Sequence, residues 1–125
     1  MKKLDFKNLS VSLLKEGILH IHLNTNSEIT MADAMLAVEA MEKLGGGKKH
    51  PVFIDAGAFC SVDKEVREFS ASKESNIFTL ADAIAYNSLA QKIIANFYVN
   101  QNEPTVPTKV FSSMADALTW LKTFI

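Results

Sequence analysis

The chain has a single cysteine, Cys60, and a single arginine, Arg67, among its 125 residues. One cysteine cannot close an intramolecular disulfide and fits a reducing compartment, so the expected location is the cytoplasm. No apolar run approaches the roughly 20 residues that span a bilayer, which argues against stable membrane insertion. Behind the basic Lys2 and Lys3 there is no apolar stretch of the kind a secretory signal needs. Excess charge is lacking too: 13 basic residues, all but Arg67 lysine, face 14 acidic ones, a net charge of −1. That leaves no basic footprint for nucleic acid. Linker-like segments and internal repeats are also missing, and 125 residues suit one domain covering 1–125.

What is present is globular material. Apolar residues make up 48% and charged residues 22%, which argues for a packed core and against disorder. Residues 10–15 and 18–24 read as a β-hairpin turning at Lys15, Glu16 and Gly17. In its second strand Leu19, Ile21 and Leu23 alternate with Ile18, His20 and His22. Thr30 and Asp33 resemble a capping box opening a helix, which Gly45, Gly46 and Gly47 end. Residues 51–56 form a buried strand ending in Asp55, followed by a short loop and a helix over about 62–72 with Ser61 or Asp63 as cap. Residues 77–86 read as a further strand, whose small Ala81, Ala83 and Ala85 let a helix pack closely. Ser88 and Gln91 cap a helix to about Asn100, with Leu89, Ala90, Ile93, Ile94, Phe97 and Tyr98 as its expected buried face. Residues 108–111 give a last strand. Ser113 caps a final helix to about Phe124, with Trp120 expected to be buried. The fold class is therefore α/β: one mixed, mostly parallel five-stranded sheet with an N-terminal hairpin and four helices.

Three segments carry a resemblance to a known group. Val52-Phe53-Ile54-Asp55 is followed eight residues later by Asp63, similar to the strand aspartate, loop and second aspartate of STAS domains. Asn87-Ser88-Leu89-Ala90-Gln91 through Phe97 resembles the long third helix of bacterial SpoIIAA-like domains. The segment from Lys109 to Leu121, with Ala117-Leu118-Thr119-Trp120-Leu121, resembles their closing strand and helix. The chain thus resembles the STAS/SpoIIAA-like family of anti-sigma-factor antagonists over nearly its whole length. The resemblance implies a regulatory module that switches partners by serine phosphorylation directly after the second aspartate. Here that position is Lys64, followed by Glu65 and Val66. A lysine accepts no phosphate from a serine kinase and carries the opposite charge, so the phosphoswitch is expected to be absent.

Two groups of residues are candidate sites. Ser61, Asp63, Lys64 and Arg67, with Asn87 and Ser88, make a ligand or partner surface at strand–helix junctions, where open α/β sheets place their sites. A helix start with Lys64 and Arg67 favours an anion, while solvated charges paired with Glu65 or Glu68 are the plainer account. Met31, Met35 and Met41, with Phe78, Tyr86, Phe97 and Tyr98, are candidates for an apolar pocket, against a plain helix–sheet core. The run Gly45-Gly46-Gly47-Lys48-Lys49 follows a helix and precedes a strand, the reverse of a phosphate cradle. His20 and His22 lack an evident third ligand, so no metal is expected. Cys60 reads as inert, and no cofactor motif occurs. Asp82 falls inside a strand, at an exposed edge or paired with a group the sequence does not identify.

No nucleophile–base pair is evident, so the expectation is a non-enzymatic regulatory or protein-interaction module. The alternative is a small carrier for an apolar ligand or lipid. The expected partners are accordingly an unidentified protein or an apolar small molecule. A second copy is also expected, as a homodimer covering an open sheet edge and the face of Ile18, His20 and His22. A large internal cavity would favour the carrier, and a tight core with a flat exposed patch would favour the module.

Overall fold

The structure, a computed structural model, describes residues 2–125. Its elements are β1 (Lys2–Asp5), β2 (Leu9–Leu13), β3 (Leu19–Leu23), β4 (Glu28–Ile29), α1 (Met31–Gly45), β5 (His50–Ala56), β6 (Ser61–Val62), α2 (Lys64–Ala71), β7 (Thr79–Ala85), α3 (Leu89–Gln101), β8 (Thr108–Phe111) and α4 (Met114–Lys122). Six strands form the main sheet in the order β1-β2-β3-β5-β7-β8. The first three are antiparallel, and β3, β5, β7 and β8 are parallel. The sheet therefore has one strand more than the five expected. The addition is β1, whose Lys2, Lys3 and Asp5 make a charged outer edge. Charge on an edge strand discourages further pairing. The hairpin edge that seemed to need a second protomer is thus covered by the chain itself.

Each parallel crossover steps the same way across the sheet. Crossovers of one hand then place α1, α2 and α3 on one face. The last helix, α4, has no strand after it and packs on the other face. There Ile18, Phe53, Ala81, Ala83, Ala117 and Leu121 form a core, with Trp120 half-buried beside it. The alanines of β7 do allow this close approach. Trp120 is less enclosed than expected, because α4 is the outermost element and its ring lies between Phe111 and Phe124, 5.6 and 5.0 Å away. On the α1 face the core is Leu9, Val11, Leu19, Ala37, Ala40, Met41, Leu44 and Val52.

Caps fix the helix starts. Thr30 Oγ1 accepts from the Asp33 N–H at 3.2 Å, and Asp33 Oδ2 accepts from the Thr30 N–H at 2.9 Å. Asn8 Nδ2 also donates to Asp33 Oδ2, at 2.9 Å, tying the loop between β1 and β2 to the helix. Burial raises the Asp33 pKa, but these hydrogen bonds and the charge of Lys7 outweigh it and hold the carboxyl below its ordinary value. Gly46, in the left-handed region at φ 67°, ends α1 as the glycine run anticipates. Ser88 and Ser113 cap α3 and α4.

Two short strands were not legible beforehand. β4 and β6 pair in parallel, Glu28 with Ser61 and Ile29 with Val62. They clip the loop before α1 to the loop before α2.

A cavity between the sheet and three helices

The α1 face of the sheet is not fully closed. A cavity of about 230 Å³ lies between the strands and α1, α2 and α3. Its floor is Leu9, Ile21, Leu23, Val52, Ile54, Asp82 and Ile84, the side chains that strand alternation sends to this face. Ala34, Ala37, Val38 and Met41 of α1 form one wall, and Cys60, Val62, Val66 and Arg67 another. Gln91, Ile94, Ala95 and Tyr98 of α3 form the roof.

The roof is held lightly. Of the residues expected to bury α3, only Tyr98 is buried, together with Ala95, while Leu89, Ala90, Ile93, Ile94 and Phe97 are exposed. Ile94, Ala95 and Tyr98 face the space beneath the helix, whereas Leu89, Ile93 and Phe97 lie on its outer side, exposed and outside the cavity lining. Its N-terminal end is anchored by Gln91, whose Nε2 donates to the carbonyls of Ala56 and Gly57 at 3.2 and 3.3 Å.

Asp82 is the chemically unusual member. It lies in the middle of the sheet, with Val52 of β5 and Thr108 of β8 as its register partners, and is 6% exposed. It is therefore neither at an exposed edge nor paired: among the described residues no ion pair or side-chain hydrogen bond reaches it. Burial without a compensating partner disfavours the charged form and pushes its pKa up to about 7. The Tyr98 hydroxyl is also pushed above its ordinary range, first by burial and then by the charge of Asp82.

Arg67 departs from the solvated pairing with Glu65 or Glu68. It turns inward, donates from Nη1 to the Val62 carbonyl, and lies 5.9 Å from the ring centre of Phe97. Its buried Nε has no acceptor among the described residues. Cys60 is half-buried on the cavity wall, where burial pushes its thiol up and away from thiolate reactivity.

The remaining expected site residues fall elsewhere. Asp63, not Ser61, caps α2, its Oδ1 accepting from the Val66 N–H at 3.0 Å. Ser61 belongs to β6 and donates its own N–H to the Ser27 carbonyl. Lys64 is exposed at the start of α2. Asn87 donates its N–H to Gln91 Oε1, and Ser88 caps α3. Of this surface only Arg67 reaches the cavity. Of the pocket residues expected from the methionine and aromatic pattern, Met41 and Tyr98 line it, whereas Met31, Met35, Phe78, Tyr86 and Phe97 do not. Met35 and Phe97 point to the outside of their helices. Met41, six residues beyond Met35 along α1 and on another side of it, is the methionine that faces the space. Strand alternation would have placed Asp82 opposite Ala81 and Ala83, but only the sheet order shows which side is hollow.

A six-stranded mixed sheet with three helices on one face and a closing helix on the other is an α/β domain with a SpoIIAA-like fold. A crystal structure from Shewanella loihica PV-4, of an uncharacterized protein of the DUF3478 family with a SpoIIAA-like fold, matches it with a TM-score of 0.61 at 17% identity. That match covers 90% of this chain and 91% of the other, and at such identity it establishes the fold alone. A crystal structure of a protein with unknown function from Arthrobacter sp. FB24 is 31% identical over 89% of this chain and 90% of that one, with a TM-score of 0.31. No curated protein matches the sequence. The chain belongs to the family DUF7793, a domain of unknown function, which matches residues 12–125. Among the described residues no helix is long and apolar enough to cross a membrane.

Proposed function

We propose that this domain binds a small, mostly apolar molecule with one polar end in the cavity beneath α3, as a carrier or sensor and not as a catalyst. The observation that carries this reading is the hollow apolar space of about 230 Å³ with an unpartnered carboxyl, Asp82, on its floor. A core built only for stability would fill that space and would not turn an acid without a side-chain partner into it. A dry cavity of about 150 Å³ accepts benzene, so this one suits roughly nine or ten non-hydrogen atoms. The protonated Asp82 carboxyl offers one donor and one acceptor to the polar end. A medium-chain acid or amine has this size and polarity.

Titration calorimetry with octanoic acid and with octylamine tests the reading. Saturable one-to-one binding of either, weakened at least tenfold by the cavity-filling Ala34→Leu, supports it. Absence of binding for both, together with a retained ligand missing from native mass spectra of freshly purified protein, would count against a carrier.

The exposed apolar stripe of α3, Leu89, Ile93 and Phe97, favours a second reading. These residues recur every fourth position on one helix face and suit a protein partner or a second copy of the chain. In that reading the domain is a regulatory module without a serine switch, since Lys64 holds the switch position.

A further inference from the structure

The opposite face of the sheet holds a different cluster. Alternation along β3 sends Leu19, Ile21 and Leu23 towards α1, and His20 and His22 to the other side. The parallel register places Phe53 beside His20 and Asp55 beside His22. Helix α4 covers the part of this face built from β5, β7 and β8 but leaves the β2–β3 part without a helix above it. As a result the three polar side chains remain partly open, at 21% for His20, 39% for His22 and 27% for Asp55.

His20 Nε2 lies 2.8 Å and His22 Nδ1 lies 3.0 Å from one and the same oxygen, Asp55 Oδ1. One donor atom from each residue falls within 4.8 Å of the others. From this geometry we propose that His20 Nε2, His22 Nδ1 and Asp55 Oδ1 form a binding site for a divalent transition-metal ion of the zinc or ferrous class.

Ligand type, geometry and rigidity all favour such an ion. Imidazole nitrogen with one carboxylate suits zinc, iron or nickel, whereas magnesium and calcium demand oxygen ligands. Donors bound at about 2.0–2.1 Å around a tetrahedral ion stand about 3.3 Å apart. The observed oxygen–nitrogen separations of 2.8 and 3.0 Å would open by a few tenths of an ångström, and the two nitrogens, within 4.8 Å of each other, would settle to a similar spacing around the ion. The ligands are carried by two adjacent, hydrogen-bonded strands, and the ring of His20 leans on buried Phe53 at 5.0 Å. Three donors on one side leave the solvent side of the ion for water or an exchangeable ligand, the arrangement of an open site. The bound imidazole nitrogens must be unprotonated, so the ion displaces the hydrogens that bridge to Asp55.

His20 and His22 lie on the other face from the cavity, while Asp55, at the end of β5, also borders it. The test is calorimetric titration of the metal-free full chain with zinc chloride, repeated with cobalt(II) to read visible absorption. One zinc per chain is expected, with a dissociation constant in the micromolar range or tighter and a thermal midpoint raised by zinc. His22→Gln and Asp55→Asn each leave two ligands and are expected to weaken binding at least a hundredfold and abolish the thermal shift. His50→Gln, whose ring bonds the Gly17 and Gly45 carbonyls instead, keeps wild-type affinity. Circular dichroism of each variant separates a lost ligand from a lost fold. Binding weaker than about 100 µM, one ion shared by two chains, or affinity that survives both ligand substitutions would overturn the site.

Discussion

Replacing Asp82 with asparagine perturbs one group in the middle of the sheet, and its effect follows from burial. The carboxyl is 6% exposed, with no side-chain partner among the described residues, and its pKa rises from 3.8 to about 7. A shift of about three units corresponds to about 4 kcal/mol between the protonated and ionised forms. The folded protein keeps this proton up to about pH 7, while the unfolded chain releases it near pH 4. Between those values the folded state binds more protons, so stability falls as pH rises, by up to about 1.4 kcal/mol per unit, and levels off above pH 7. Asparagine keeps the shape and removes the ionisation. Asp82→Asn is therefore expected to exceed the wild type by only about 1 kcal/mol at pH 4.5 and by up to about 4 kcal/mol at pH 8. Urea unfolding followed by circular dichroism at pH 4.5, 6, 7 and 8 measures both proteins. A wild-type curve that does not decline between pH 5 and 7, or an Asp82→Asn variant no more stable at pH 8, would refute the idea of an uncompensated buried carboxyl.

Other outcomes follow from single contacts. Asp33→Ala removes the acceptor of the Thr30 and Asn8 hydrogen bonds and is expected to cost about 1–2 kcal/mol at neutral pH. Because the folded Asp33 pKa is lowered, that cost is present above pH 4 and fades as pH drops through the folded value below 3.8, which urea melts at pH 7 and pH 2.5 check. Trp120→Ala is expected to cost about 2–3 kcal/mol, below the 3–5 of a fully buried aromatic, and a loss under about 1 kcal/mol would place α4 loosely on the sheet. Gly57→Ala would bring a Cβ within 2.6 Å of the Thr25 backbone nitrogen, so a clear drop in thermal midpoint is expected. If the α3 stripe pairs two copies, the protein sediments as a dimer at micromolar concentration and Ile93→Lys makes it a monomer, whereas a monomeric wild type removes this interface.

Local chemistry along the chain determined most of the elements. Thr30 with Asp33, Ser88 with Gln91, and Gly46 announce their helix ends because capping depends on residues three or four apart, which a sequence displays directly. Alternation in β3 and the apolar run of β5 likewise reveal strands, and the order of elements implies a parallel sheet with a SpoIIAA-like arrangement. The tertiary structure alone decided the rest. Helical spacing marks Leu89, Ile93 and Phe97 as apolar but cannot say whether a partner lies opposite, and here the stripe faces outward. The same spacing cannot tell Met35, turned outward, from Met41, turned to the cavity. Asp82 reads as an anomalous strand residue until the sheet order encloses it between β5 and β8. His20 and His22 gain Asp55 only through the register of two strands separated by α1. Pairing across such a distance is set by how the helix packs the strands together, and no local spacing records it.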